Sequence, residues 1–143
     1  MRKNQLKQKS IKMEKNQLEQ MIAQDFLCSD GLLRVNLDDI INLRQHCNFI
    51  DGCKVSGEIG QLPTIISNTL EAIRVAHTEA LLVMVIMMII CSNGKGVNIE
   101  QMNMIYHVFG QLGDIDLLWG IDNRRQEMPY DISISILTGY KYF

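Results

Sequence analysis

The 143-residue chain has no apolar run long enough to cross a bilayer as a helix. Its longest, residues 80–91, reads Ala-Leu-Leu-Val-Met-Val-Ile-Met-Met-Ile-Ile-Cys, and a spanning helix needs about 20 apolar residues to cross a hydrocarbon layer of about 30 Å. The run therefore belongs inside a protein. The chain also lacks a Gly-x-Gly-x-x-Gly and a Gly-Lys-Ser/Thr at a helix start, so the glycines of 94–96 and 52–60 read as turns and not as phosphate cradles. His46, Cys47, Asp51 and Cys53 crowd one segment, but Cys47 and Cys53 lie six apart and no second cysteine pair follows, so the spacing of a structural zinc site is missing. No cofactor or metal is expected. Cys47 beside His46 is the only adjacent nucleophile and base, and neighbours on a helix point about 100° apart, so catalysis is not expected either. Residues 1–15 hold no apolar stretch followed by a small-residue cleavage site, which leads to the expectation of a cytoplasmic protein with Cys28, Cys47, Cys53 and Cys91 as free thiols.

Apolar residues at 47% and charged residues at 21% are values of a globular domain. The net charge of −2 hides an asymmetry, because residues 1–15 carry six cations against Glu14, a balance of +5 that leaves −7 for the remainder. An acidic body repels phosphate, so only the basic arm could bring the chain to nucleic acid.

The periodicity predicts helices. Leu18, Ile22 and Phe26 share a face until Ser29-Asp30-Gly31, and Asn36 caps a second helix through Ile40, Ile41 and Leu43. Gly52, Gly57 and Gly60 make residues 51–63 the longest loop, with one extended piece at 53–55, and loops of this kind often carry function. From Pro63 apolar residues recur every three or four positions through Ile66, Leu70 and Ile73 and keep that phase into the run at 80–91, while the polar face stops at Glu79. His77 falls on the buried side of this helix, and His107 lies beside an apolar stripe. Asn98-Ile99-Glu100-Gln101 is a capping box that opens a return helix, and a short helix follows over 114–121. Ile132, Ile134 and Ile136 alternate with serines, the period of a strand, for which residues 53–55 are a candidate partner. The expected fold is mainly α: a basic, partly disordered arm over 1–15 and a single helical domain over 16–143, with about five helices, a central buried helical hairpin and a short C-terminal strand or extended segment.

Over residues 78–143 this element order is similar to the helix-turn-helix part of winged-helix domains. That resemblance implies a DNA-reading helix at 114–122, yet the segment carries Asp114, Asp116 and Asp122 and no cation. A DNA-binding regulator using Arg2, Lys3, Lys7, Lys9 and Lys12 as a phosphate-binding arm is the alternative reading. The favoured one is a non-enzymatic protein–protein interaction module: a small subunit, adaptor or chaperone-like factor of a microbial or viral assembly, acting as an oligomer or in a larger complex. Its expected contact residues are Leu82, Val83, Val85, Ile86, Met87 and Ile90 of the run, Trp119, and Ile132, Ile134 and Ile136, because a helix apolar over its whole circumference exceeds what a few amphipathic helices can cover.

Overall fold

The computed structural model describes residues 13–27, 35–92, 95–123 and 128–143. The basic arm up to residue 12, Cys28, the stop signal at 29–31 and the charged segment 124–127 lie outside them. In chain order the elements are α1 (Lys15–Met21), which runs on as a π-helical turn (Ile22–Leu27), α2 (Leu37–His46), β1 (Phe49–Gly57), a 3₁₀ turn (Ile59–Gln61), α3 (Leu62–Ala76), β2 (Ala80–Cys91), α4 (Ile99–Gly110), β3 (Asp116–Asn123) and β4 (Ile132–Tyr142). This is an α/β fold with four α-helices and a four-stranded mixed sheet among the described residues, and the mainly helical expectation is wrong.

The central error lies at residues 80–91. They form strand β2, and the helix before them ends at Ala76, short of a turn at Thr78 and Glu79. The sheet order is β1-β4-β2-β3, with β4 antiparallel to both β1 and β2, and β3 parallel to β2. Helices cover both faces of the sheet. On one face Val85, Met87, Ile89 and Cys91 meet Leu62, Ile66 and Ile73 of α3 and Ile105 and Phe109 of α4. On the other, Met84, Ile86, Met88 and Ile90 meet Leu18, Met21, Ile22, Phe26, Ile40 and Leu43 of the N-terminal helices. A strand buried on both sides needs apolar residues at both parities, which erases the period-two signal and leaves a continuous run. Five β-branched residues, Val83, Val85, Ile86, Ile89 and Ile90, suit the pleat. Val83 is the extra residue of a bulge, since Leu82 stands opposite Tyr140 and Met84 opposite Gly139.

Two further segments depart from expectation. Residues 116–123 form the edge strand β3 and not a short helix, which removes the winged-helix arrangement along with its recognition helix. Much of the expected loop at 51–63 belongs to β1, whose Cys53 and Val55 stand opposite Ile136 and Ile134. The terminal strand is not a margin of the fold, because β4 lies inside the sheet and is buried from Ile132 to Tyr140. The capping box of α4 is formed as drawn from the sequence: the Gln101 amide donates to Asn98 Oδ1 at 2.8 Å, and the Asn98 amide donates to Gln101 Oε1 at 2.9 Å. No helix among the described residues is long and apolar enough to cross a membrane.

Candidate binding groove at the sheet edge

Most of the contact residues expected from the sequence are in the interior. Val85, Ile86, Met87, Ile134 and Ile136 are inaccessible to solvent, and Ile90 and Ile132 nearly so. Their apolar surface is covered by this chain's own helices. Leu82 and Val83 are half-buried around the bulge, and Trp119 is half-buried on β3 with its ring 6.5 Å from that of Tyr106.

The open feature lies elsewhere. A groove of about 370 Å³ separates β1 from α3. Four successive β1 residues line it: Cys53, Lys54, Val55 and Ser56. Neighbouring residues of a strand point to opposite faces of the sheet, so four in a row can meet one groove only where it reaches the strand's edge. β1 is an edge strand, with β4 on one side and, among the described residues, no strand on the other. The opposite wall is α3, which presents Thr64, Ile65, Asn68, Thr69 and Ala72, with Gln61 at the mouth. Cys53, Thr69 and Ala72 form a buried floor, while Gln61, Thr64, Asn68 and Ser56 are exposed at the rim. The Thr69 hydroxyl donates to the Ile65 carbonyl at 2.7 Å, so it closes on its own helix. A Cβ on Gly57 would come within 2.6 Å of Ile65 Cδ1, so glycine lets the first turns of α3 approach the strand.

The far end of α3 is held by a cluster of rings and charges. His77, which follows the helix, is hydrogen-bonded to Asp51 of β1 (Nε2 to Oδ2, 2.8 Å), and its Nδ1 lies 3.4 Å from Glu79 Oε1. The Phe49 and Tyr140 rings meet the imidazole edge to face with centroids at 5.0 and 4.6 Å, and they stack on each other at 5.0 Å. Asp51 is nearly buried and also accepts from the Met13 and Gly52 amides, at 3.1 and 2.8 Å. Met13 therefore lies beside the first half of β1, and the groove opens beside the second half. Among the described residues the buried Tyr140 hydroxyl has no hydrogen-bond partner; the nearby Thr138 hydroxyl donates to the Asp51 carbonyl at 3.3 Å. Burial pushes the Tyr140 phenol up to about 12, against the opposing effect of Thr138 and with a lesser contribution from the field of Asp51.

Burial, reinforced by Asp51, pushes the Cys53 thiol up to about 12, so the groove floor offers a protonated thiol and not a thiolate. Burial raises Cys47 and Cys91 as well. The Cys47–Cys53 segment is dispersed: His46 is exposed and hydrogen-bonded to the Asn42 carbonyl, Cys53 points into the core and Asp51 is engaged by His77. No three His, Cys, Asp or Glu side chains among the described residues are grouped to hold a metal ion. His107 is exposed on α4.

No protein-family model and no curated protein sequence matches the chain. Among solved structures, a chain from the crystal structure of the HypE-HypF complex matches with a TM-score of 0.40 and 15% identity, over 66% of this chain and 34% of that one. This chain thus spans about a third of that chain's length, and a likeness at this level bears on neither family nor function.

Sequence reasoning missed the groove residues of α3. Thr64, Asn68 and Thr69 are neutral polar types with no motif among them, and they meet residues 53–56 only through the fold. A signal did exist at the glycine-rich stretch 51–63, which contributes Cys53, Lys54, Val55, Ser56 and Gln61.

Proposed function

We propose that the protein is a non-enzymatic interaction module that takes an extended segment of a partner protein into the groove between β1 and α3, adding a strand to the sheet edge. The observation that carries this reading is the lining of one groove by four successive residues of an edge strand. Strand addition supplies main-chain hydrogen bonds along the edge, and an adjoining groove receives alternate side chains of the incoming segment. The size of the groove, its buried floor of Cys53, Thr69 and Ala72 and its neutral polar rim suit one or two small side chains of such a segment. The raised thiol of Cys53 favours binding over covalent catalysis.

Selection from a displayed library of random ten-residue peptides tests the reading. Binders are expected to shift amide resonances of residues 53–56 and 64–72, and to lose at least about tenfold in affinity against Asn68→Trp, which fills the groove from an exposed helix position. Binders that map to another surface, or that ignore Asn68→Trp, would overturn it.

A further inference from the structure

The backbone of β1 divides into groups turned to β4 and groups turned to the open edge. In an antiparallel pair alternate residues direct both N–H and C=O at the neighbouring strand, and the residues between them direct both away. Thr138 of β4 stands opposite Asp51, and its hydroxyl reaches the Asp51 carbonyl at 3.3 Å, so Asp51 faces β4. Gly52 therefore faces away, and its amide donates to Asp51 Oδ1 at 2.8 Å. The register runs unbroken from Phe49 to Gly57. Cys53 and Val55 thus pair with β4 as Asp51 does, while Lys54 and Ser56 present amide and carbonyl at the edge. Side chains alternate as well. Those of Cys53 and Val55 lie on the α3 side of the sheet, whereas Lys54 meets Asp25 and Ser56 meets Ser133 on the other face. What Lys54 and Ser56 bring to the groove is accordingly the edge of the strand.

The Asp51 carboxylate closes this edge at one end. Its Oδ1 holds the Gly52 amide and, at 3.1 Å, the Met13 amide, so Met13 stands where an added strand would run on. Its Oδ2 holds His77 Nε2 at 2.8 Å, joining strand to helix just beyond Cys53 and Ala72, which line that end of the groove. We propose that Asp51 sets the register of the segment received at this edge, confining main-chain pairing to Lys54 and Ser56 and admitting to the groove only the side chains opposite Cys53 and Val55. This inference rests on the interaction reading above and narrows it to a segment with small, uncharged side chains at two positions, i and i+2. The floor of Cys53, Thr69 and Ala72 offers no ion pair to a charge that loses its water there. Residue i+1 points to the opposite face and is free to vary.

Amide hydrogen exchange of the full chain, followed by NMR with and without peptides from the same library, tests the proposal. In the free protein Lys54 and Ser56 are expected to exchange at least about tenfold faster than Cys53 and Val55. A bound peptide should slow Lys54 and Ser56 and leave Gly52 unchanged. Asp51→Ala should speed Gly52 exchange by at least about tenfold, and Asp51→Asn, which keeps the acceptor oxygen, should not. Placing Asp or Lys at either of two peptide positions two apart should weaken binding at least about tenfold, while the same change between them is tolerated. The reverse alternation of exchange, or a groove-bound peptide that protects Gly52 of the unaltered chain, would overturn this proposal and leave the interaction reading intact; failure to obtain groove binders would sink both. Urea unfolding of the Asp51 variants separates a released amide from a lost fold, and the exchange pattern of the unaltered chain decides the matter without them.

Discussion

Gly139 shows how one missing side chain sets the spacing of a layer. It sits in the interior strand β4, and a Cβ there would collide with Cys47 Sγ and with Leu43 Cδ1 of α2, the latter side chain being fully buried. Gly52 plays the same part for α1, where Leu18 Cδ1 and Met21 Cε stand 2.7 and 2.9 Å from the added Cβ. These two contacts differ in how readily they yield. Long Leu and Met side chains on a short helix can give way, whereas Leu43 is enclosed. Gly139→Ala should therefore cost about 1–3 kcal/mol, the usual penalty of overpacking, and more than Gly52→Ala. Urea unfolding of both variants measures the order. Adding Cys47→Ala to Gly139→Ala should recover part of the loss, and strictly additive effects would show that Cys47 is not the obstacle.

Among the elements, β2 and α4 show two different sources of stability. β2 is held by burial on both faces, so Ile86→Ala should destabilise the protein by about 2–5 kcal/mol. A contact residue on an open surface would tolerate the same change, which makes thermal unfolding of this variant a direct check of the strand assignment. α4 depends on its start. Asn98→Ala removes the acceptor of the Gln101 amide and should cost about 1 kcal/mol, seen first as faster hydrogen exchange in the opening turn of α4. The two edge strands also differ. β3 begins at Asp116 and carries the buried Asp122, a charge placement that discourages pairing with another chain. In β1 the charged Lys54 is paired with Asp25 of the π-helical turn.

For the molecule as a whole, the buried acids set the response to alkaline pH. The Cys53 thiol and the Tyr140 phenol both titrate near 12 in the folded protein, against ordinary values of 9.0 and 10.0. As pH rises the unfolded chain releases these protons first. The stability they contribute is therefore whole below pH 9 and drains away as pH climbs toward about 12. Urea midpoints should hold level from neutral pH to about 9 and then fall, by a total on the order of a few kcal/mol. Cys53→Ala should make the fall above about pH 9 shallower, leaving the contributions of the raised Cys47 and Cys91 thiols and, from about pH 10, that of Tyr140. A fall of unchanged size in that variant would show that Cys53 does not contribute to it.

The sequence by itself determined which segments are interior, where α4 begins, and that residues 53–55 can partner the terminal strand. These are local facts: a run with no polar residue must be buried, and an Asn three residues before a Gln caps a helix whatever packs above it. Only the tertiary structure decided that residues 80–91 are a strand. With helices on both faces every position is apolar, so alternation vanishes, and the helical phase of α3 ran on undisturbed into a segment that has none. The same packing decided the groove, since residues 53–56 and 61–72 become one surface only when α3 folds back beside the edge of β1. Their side chains are small, neutral or paired, and nothing in a linear reading sets such residues apart from ordinary solvent-facing ones.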